Sequence, residues 1–366
     1  MKQYNVGIIG ATGMVGQRFI TLLDGHPWFN IKLLAASPRS AGKKYTEAVG
    51  KRWAMKADIP DSVKDMVLYD AAADVEKIAE QVDFVFCAVD MKKDEIKALE
   101  ERYAKAECPV VSNNSAHRHT PDVPMIIPEI NPQHTEIIPA QRERLGTKRG
   151  FVAVKSNCSL QSYLPALAVI NQKYPIDHAL VTTYQAISGA GKTFETWPDM
   201  VDNLIPYIGG EEMKSEVEPN KILGKIEGGE IVPSTELQIE CQTYRVPVSD
   251  GHTAAIFFSF KDSENKPSVQ EIENMWREYK GVPQELELPH APKQFIYVYT
   301  EADQPDQPQI KTAREIDGGM AISCGRLRES TQYDYKMVSM SHNTLRGAAG
   351  GAVLLAELLA AKGYLD

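Results

Sequence analysis

The sequence predicts an α/β protein: an N-terminal, doubly wound parallel sheet, then an α+β half built on a mixed sheet. Two observations point to the first part. A short apolar strand runs directly into a glycine-rich turn and a helix, and strand-like and helix-like stretches then alternate as far as Ser112. A third observation points to the second part. Beyond residue 175, long strand patterns follow one another with few helices between them. A length of 366 residues suits two such units, each large enough to bury a core.

The first strand is Tyr4-Asn5-Val6-Gly7-Ile8-Ile9, and Gly10-Ala11-Thr12-Gly13-Met14-Val15-Gly16 follows at once. Phe19, Ile20, Leu22 and Leu23 then mark a helix that ends near Gly25. A turn of this kind lets backbone N–H groups approach a pyrophosphate, which the helix N-terminus stabilises. The spacing G-x-x-G-x-x-G is a variant of the dinucleotide fingerprint, and the strand-turn-helix context makes the unit Rossmann-like. The second strand, Ile31 to Ala36, ends at Ser37-Pro38-Arg39-Ser40-Ala41-Gly42-Lys43. An acidic residue there would hold the ribose of NAD. Ser37, Arg39 and Ser40 instead suit a 2′-phosphate, so the expected cofactor is NADP(H).

Strand signals follow at 66–69, 83–89 and 109–112, with helices around 72–81 and 92–106. The loop Asn113-Asn114-Ser115-Ala116-His117-Arg118-His119 lies at a strand's C-terminal end, where open α/β sheets bind ligands. Arg118 offers a planar fork of donors to an anion. Two histidines are too few for a metal site, and no metal is expected.

The valine-rich run Phe151 to Val154 leads into Lys155-Ser156-Asn157-Cys158-Ser159-Leu160, and a helical pattern leaves it, running to about Tyr174 with Pro165 in or bending its early turns. Cys158 thus falls at a strand-to-helix junction, where unpaired N–H groups bias a thiol toward thiolate. A buried, inert cysteine fits this stretch equally well. A strand over 179–187 ends in Ser188-Gly189-Ala190-Gly191-Lys192, which lacks the P-loop spacing. Glu211 and Lys214, three apart, share one face if helical. Gln242 to Val248 reads as a strand, and a stronger one over 252–260 is opened by His252 beside Gly251. A histidine there is able to exchange a proton with a thiol across the fold. A helix over 268–279, strands at 295–299 and 319–328, an acidic proline-rich loop over 301–309 and a small-residue helix over 343–355 complete the chain. The last is expected to pack back on the nucleotide unit.

Composition narrows the function classes. The net charge of -9 argues against a general nucleic-acid binder. No apolar run is long enough to span a bilayer, and the N-terminus shows no signal-peptide pattern. Five scattered cysteines without metal-ligand spacing fit a reducing cytoplasm, the expected location.

Taken together, GATGMVGQRF, AASPRSAGK, SNNSAHR, KSNCSL, TYQAISGAG, EEMKSEVEPNKILG, RVPVSDGHT and NTLRGAAGGA resemble the aspartate-β-semialdehyde dehydrogenase family, and more closely its archaeal and fungal branch. The order and spacing of the set are far more specific than any single motif. Ser159-Leu160 replaces the threonine-valine common in bacterial members, and the segment from Thr46 to Asp61 also differs.

The resemblance implies a nucleophile at Cys158, an acid/base at His252 and an acyl-orienting Gln185. It implies Arg245 on the substrate α-carboxylate, Glu211 on its amino group, Arg118 and Lys214 on phosphate, and Asn157 as a donor beside the nucleophile. The cofactor set is Gly10, Thr12, Gly13, Met14, Val15, Ser37, Arg39, Ser40, Ser188, Gly189 and Asn343. The expected domains are 1–157, a dinucleotide-binding unit completed by 343–366, and 158–342, a catalytic and dimerisation unit. The partners implied are substrate, phosphate and further copies of the chain, as a homodimer or homotetramer.

The implied reaction is the reversible, NADPH-dependent reduction of L-aspartyl-4-phosphate to L-aspartate-4-semialdehyde through a Cys158 thioester, a step in the biosynthesis of lysine, methionine, threonine and isoleucine. His252 protonates the oxygen as the hemithioacetal collapses. Malonyl-CoA reductases share the scaffold and are the alternative, although Arg118 and Lys214 suit inorganic phosphate. A non-catalytic NADP-binding sensor, with an unreactive Cys158, is the remaining possibility.

Overall fold

The computed structural model describes residues 3–300 and 307–366, so most of the acidic loop over 301–309 lies outside the described residues. Seven strands form the first sheet: β1 (Tyr4–Ile9), β2 (Phe29–Ala36), β3 (Tyr69–Asp70), β4 (Phe84–Cys87), β5 (Val110–Ser112), β6 (Met125–Ile126) and β7 (Val152–Lys155). Their order is β3-β2-β1-β4-β5-β7-β6, and every pairing is parallel. The chain starts in the middle and winds outward both ways, as the alternation predicts.

Alternate residues of β1 feed two cores. Val6 and Ile8 pack with Phe19, Phe86 and Val353, while Ile9 packs with Val85, Tyr103 and Val154. Burial on both faces is why these strands read as unbroken apolar runs. The helices Met14–Leu23 and Ala349–Ala361 lie against one another on the first face. The C-terminal helix therefore does return to the nucleotide unit. It begins at Ala349, because residues 343–348 form a tight turn into it.

The second sheet contains β8 (Ile176–Gln185), β11 (Gln238–Arg245), β12 (His252–Phe260), β13 (Ile296–Val298), β14 (Ile322–Glu329) and β15 (Tyr335–Ser341); β9 (Lys225–Glu227) and β10 (Glu230–Val232) form a separate hairpin. The order is β11-β8-β12-β15-β14-β13. β8–β11 and β13–β14 are parallel and the other pairs antiparallel, so the sheet is mixed. One register row places Arg245, Gln185, His252 and Ser341 side by side across four strands.

Several expectations need correction. The stretch after Cys158 is not one helix. A 3-10 turn, Leu160–Ser162, is separated from the helix Leu164–Asn171 by Tyr163 at φ -141°, and Pro165 sits in the first turn of the second piece. The 72–81 helix shrinks to Val75–Ala79, and the strand at 66–69 forms only at Tyr69–Asp70. The short strand β6, the helix Ile138–Leu145 and β15 carry weaker periodic signals and were not expected. No helix among the described residues is long and apolar enough to cross a membrane.

Candidate active site

The loop after β7 is bolted to the helix Glu211–Ile222. The Asn157 backbone N–H donates to Glu218 Oε2 at 2.7 Å, and its Nδ2 donates to both Glu211 oxygens at 3.1 Å. Asn157 Oδ1 accepts from Ser159 N and Ser159 Oγ, both at 2.7 Å. The turn that carries Cys158 is therefore held on both sides. The helix presents Glu211, Lys214, Ser215 and Glu218 toward the site at helical spacing.

Cys158 is the only one of the five cysteines that is not fully buried; Cys87, Cys108, Cys241 and Cys324 are. Its Sγ lies 3.6 Å from His252 Nε2. The Ala186 backbone N–H donates to His252 Nδ1 at 3.0 Å, which leaves the proton of a neutral imidazole on Nε2, aimed at the sulfur. Burial, then the nearby Arg245 charge, push His252 down to about 3, so the ring stays neutral at physiological pH. Burial, then Glu211, push the Cys158 thiol above its ordinary value, against Lys155, Arg118 and Arg245. The expected thiolate bias is thus not met in the ligand-free site, because desolvation outweighs a short 3-10 turn and the surrounding cations.

Gln185 and Arg245 stand in the same row as His252. Gln185 Nε2 donates to Thr183 Oγ1 at 3.2 Å and lies 3.4 Å from Glu211 Oε2. Arg245 Nη1 donates to the Ala186 carbonyl at 2.7 Å. Gly189 passes close over this row: a Cβ there would lie 2.8 Å from Arg245 Nη1 and 3.2 Å from the His252 ring. Only a hydrogen fits.

Spacing alone leaves Glu211 and Lys214 as an ordinary surface ion pair. They do pair, at 2.6 Å, but Glu211 is buried and both line the cleft. Burial pushes the Glu211 carboxyl up, but Lys214 and Asn157 together hold it below its usual value, as a carboxylate. Arg118 is buried, with Nη1 on Glu218 Oε1 at 2.9 Å and Nε on the Lys155 carbonyl at 3.0 Å.

A cleft of about 320 Å³ joins these groups to the glycine turn. Met14, Val15, Arg118, Asn157, Cys158, Ser188, Gly189, Glu211, Lys214 and Asn343, all expected site residues, line it. Gln185, Arg245 and His252 are buried just behind its wall. Asn343 ties the wall together, donating to Ser188 Oγ at 3.0 Å and accepting from Gly251 N at 2.7 Å. Gly10, Thr12 and Gly13 form the turn beyond the cleft, and Ser37, Arg39 and Ser40 lie at the end of β2.

The residues present fit a dinucleotide. Gly10 has φ +92°, and a Cβ there would lie 2.3 Å from the Ala88 carbonyl oxygen; one at Gly16 would lie 2.3 Å from the Gly10 carbonyl oxygen. The helix Met14–Leu23 starts at Gly13 with no side-chain cap, so its first N–H groups face the turn. Arg39 and Ser37 are exposed just beyond the end of β2.

Sequence reasoning missed four polar groups at this site. Glu218 bridges Arg118 and Asn157, and its position seven residues after Glu211 on one helix face was the available signal. Asn113 has both side-chain amide atoms buried with no hydrogen-bond partner among the described residues, and Arg18 Nε is buried likewise; both line the cleft. Lys155 also lines it, although its place on a buried strand gave no sign of this.

A second polar cluster, His26, His290 and Glu357, has the residue types of a metal centre. His26 Nδ1 accepts from Trp28 N and Phe29 N, both at 3.0 Å, so Nε2 carries the proton and donates to Glu357 Oε1 at 2.9 Å. That nitrogen has no lone pair for a metal, and the cluster is a hydrogen-bonded clamp.

Comparison with known proteins agrees with this geometry. Residues 5–138 match the family model "Semialdehyde dehydrogenase, NAD binding domain", and residues 167–346 match "Semialdehyde dehydrogenase, dimerisation domain". The chain is 40% identical over 369 residues to an aspartate-semialdehyde dehydrogenase of Cryptococcus neoformans, covering 100% of this chain and 99% of that one. It is 41% identical over 357 residues to one of Methanothermobacter thermautotrophicus, covering 97% and 98%. The crystal structure of aspartate semialdehyde dehydrogenase with NADP from Candida albicans superposes with a TM-score of 0.88 at 40% identity, covering 99% of this chain and 100% of that one. A cysteine–histidine pair in a cleft leading to a dinucleotide turn, on a chain related from end to end to these proteins, establishes that it belongs to the aspartate-semialdehyde dehydrogenase family.

Proposed function

We propose that this protein is an NADP(H)-dependent aspartate-semialdehyde dehydrogenase. It interconverts L-aspartyl-4-phosphate with L-aspartate-4-semialdehyde and phosphate. The observation that carries the reading is the Cys158–His252 pair, 3.6 Å apart, at a cleft walled by Arg118 and Lys214 and continuous with the glycine turn. Gly10 to Val15, with Ser37, Arg39, Ser40, Ser188, Gly189 and Asn343, would hold the cofactor.

In the reductive direction the Cys158 sulfur bonds to the acyl carbon. The bond from that carbon to the phosphate oxygen breaks, and Arg118 and Lys214 receive the leaving phosphate. When bound, NADPH supplies the hydride that reduces the resulting thioester. Arg245 and Glu211 hold the carboxylate and amino ends of the substrate, which makes the attack effectively intramolecular, and Gln185 orients the acyl group. As the aldehyde forms and the carbon–sulfur bond breaks, the electron pair returns to sulfur. His252, with its proton on Nε2 and facing the sulfur, donates to that charge rather than protonating the oxygen as the resemblance implied, and keeps the thiolate a good leaving group. The proton lost from the thiol on attack leaves with the phosphate as hydrogen phosphate, and a proton taken up from solvent restores the thiol after the aldehyde departs, so the reduction consumes one proton.

The division between nucleotide and catalytic units falls at 157/158 in this reading, with the nucleophile opening the second. The match to a dimerisation domain supports a homo-oligomer. We place a homodimer contact on the outer face of the second sheet, around Tyr184 and Tyr244, whose rings stack at 5.8 Å, and along Val201, Leu204 and Tyr207, which are exposed beside the β11 edge.

The test is phosphate-dependent NADP reduction with aspartate semialdehyde, with NAD and malonyl-CoA run alongside. NADP reduction that needs both semialdehyde and phosphate is expected. Turnover with malonyl-CoA and NADPH, and none with the semialdehyde, would overturn the substrate assignment.

A further inference from the structure

The cations around Cys158 are not equivalent. Arg118 is neutralised by Glu218 at 2.9 Å and Lys214 by Glu211 at 2.6 Å. Lys155 has no carboxylate partner among the described residues. Its Nζ donates to one atom, the Ser156 carbonyl oxygen at 2.5 Å, so two of its three donors remain. It is 2% exposed, and what it does expose faces the cleft that Cys158 lines.

The fold builds this placement deliberately. Lys155 ends β7, three residues before the nucleophile, and its side chain runs toward the turn into the C-terminal helix. A Cβ on Gly351 would lie 3.4 Å from Lys155 Cδ, so the stem runs alongside the first turn of the C-terminal helix. An ammonium buried with one carbonyl partner is poorly compensated, and an anion is what completes it.

We propose that Lys155 is a third anion-binding residue of this site, whose two remaining ammonium donors take phosphoryl oxygens of the acyl phosphate or of inorganic phosphate beside Cys158. This rests on the phosphorylating reading above. With Arg118 and Lys214 already paired to carboxylates, and Arg245 given to the substrate carboxylate, Lys155 adds positive charge that a dianion needs beside Cys158. Burial, then the Arg118 charge, lower Lys155 to about 7, and an arriving phosphate reverses that shift and holds the ammonium charged. The other charged groups facing it are Cys158, Glu218 and Arg346.

The experiment compares wild type with Lys155→Met, which removes the charge at similar volume, and Lys155→Arg, which keeps it. Two readouts are used: the KM for inorganic phosphate in semialdehyde oxidation, and protection of Cys158 from iodoacetamide by inorganic phosphate, which needs no turnover. Lys155→Met is expected to raise the phosphate KM at least tenfold while the NADP KM stays within twofold. It should also abolish protection, and Lys155→Arg should restore most of both. An unchanged phosphate KM and intact protection in folded Lys155→Met would overturn the proposal. So would a uniform rise in all three substrate KM values, or failure of both Lys155→Met and Lys155→Gln to fold, since either makes Lys155 structural. If wild type shows no phosphate-dependent turnover, the functional reading fails separately, and the protection assay still decides whether Lys155 binds phosphate.

Discussion

Burial and charge around Cys158 decide when its sulfur reacts. The thiol is pushed up and His252 is held at about 3, so ionisation of the sulfur, not of the imidazole, gates attack. The rate of iodoacetamide alkylation at Cys158 is expected to climb as pH rises toward the raised thiol value, with no inflection from His252 between roughly pH 5 and 8. The buried Cys87, Cys108, Cys241 and Cys324 should react far more slowly, and peptide mapping of the label checks both statements. Cys158→Ser should lower kcat by about 10⁴-fold or more and leave NADP binding intact, measured by cofactor fluorescence titration. Gly189→Ala tests the close passage over Arg245 and His252. The added methyl displaces one or both, and kcat/KM should fall by about 10²-fold with little change in Tm.

Individual elements are held by buried polar staples as well as by apolar packing. Glu357, on the C-terminal helix, accepts from His26 at 2.9 Å, from His290 Nδ1 at 2.7 Å and from His290 N at 3.0 Å. It thereby ties the helix to the loop before β2 and to the loop around residue 290. Burial raises this carboxyl, but the His26 and His290 bonds win and hold it below the ordinary value of 4.5. A depressed carboxyl contributes its stability above the unfolded-state pKa and loses it as pH falls through the folded one. Wild-type Tm should therefore drop as pH is lowered below about 4.5, and Glu357→Gln should flatten that acid limb. At neutral pH the same variant should be less stable by about 2 kcal/mol, measured by urea denaturation. On the other side of the cleft, Arg346 joins Glu129 and Gln161 and lies 4.8 Å from the Phe295 ring, fastening the turn after β15 beneath the cofactor site.

At the scale of the whole molecule, the active site exists only where the two sheets meet. β7 delivers Cys158, the second sheet delivers the row Arg245–Gln185–His252, and the Glu211–Ile222 helix closes the side. One apolar core runs from Val154 of the first sheet to Val181 and Ile256 of the second. That continuity fixes the sulfur against the imidazole. The exposed Tyr184 and Tyr207 make the proposed dimer testable: Tyr184→Glu combined with Tyr207→Glu should shift the protein toward monomer in light scattering, without loss of secondary structure by circular dichroism.

The sequence by itself determined the parallel sheet, the glycine turn, the strand that opens at His252 and the candidate nucleophile. Each of these rests on local chemistry: runs of apolar residues, glycine where backbone must approach backbone, and a cysteine at the end of a buried strand. It did not reveal the break at Tyr163, the strand β15 or the site roles of Glu218, Asn113 and Lys155. Their identity depends on what packs against them from distant segments, as Glu218 depends on Arg118 a hundred residues away. Tertiary structure alone also set the proton balance of the site. The charge state of Cys158 and His252 follows from burial and from neighbouring charges on four separate elements, and no local pattern records that sum.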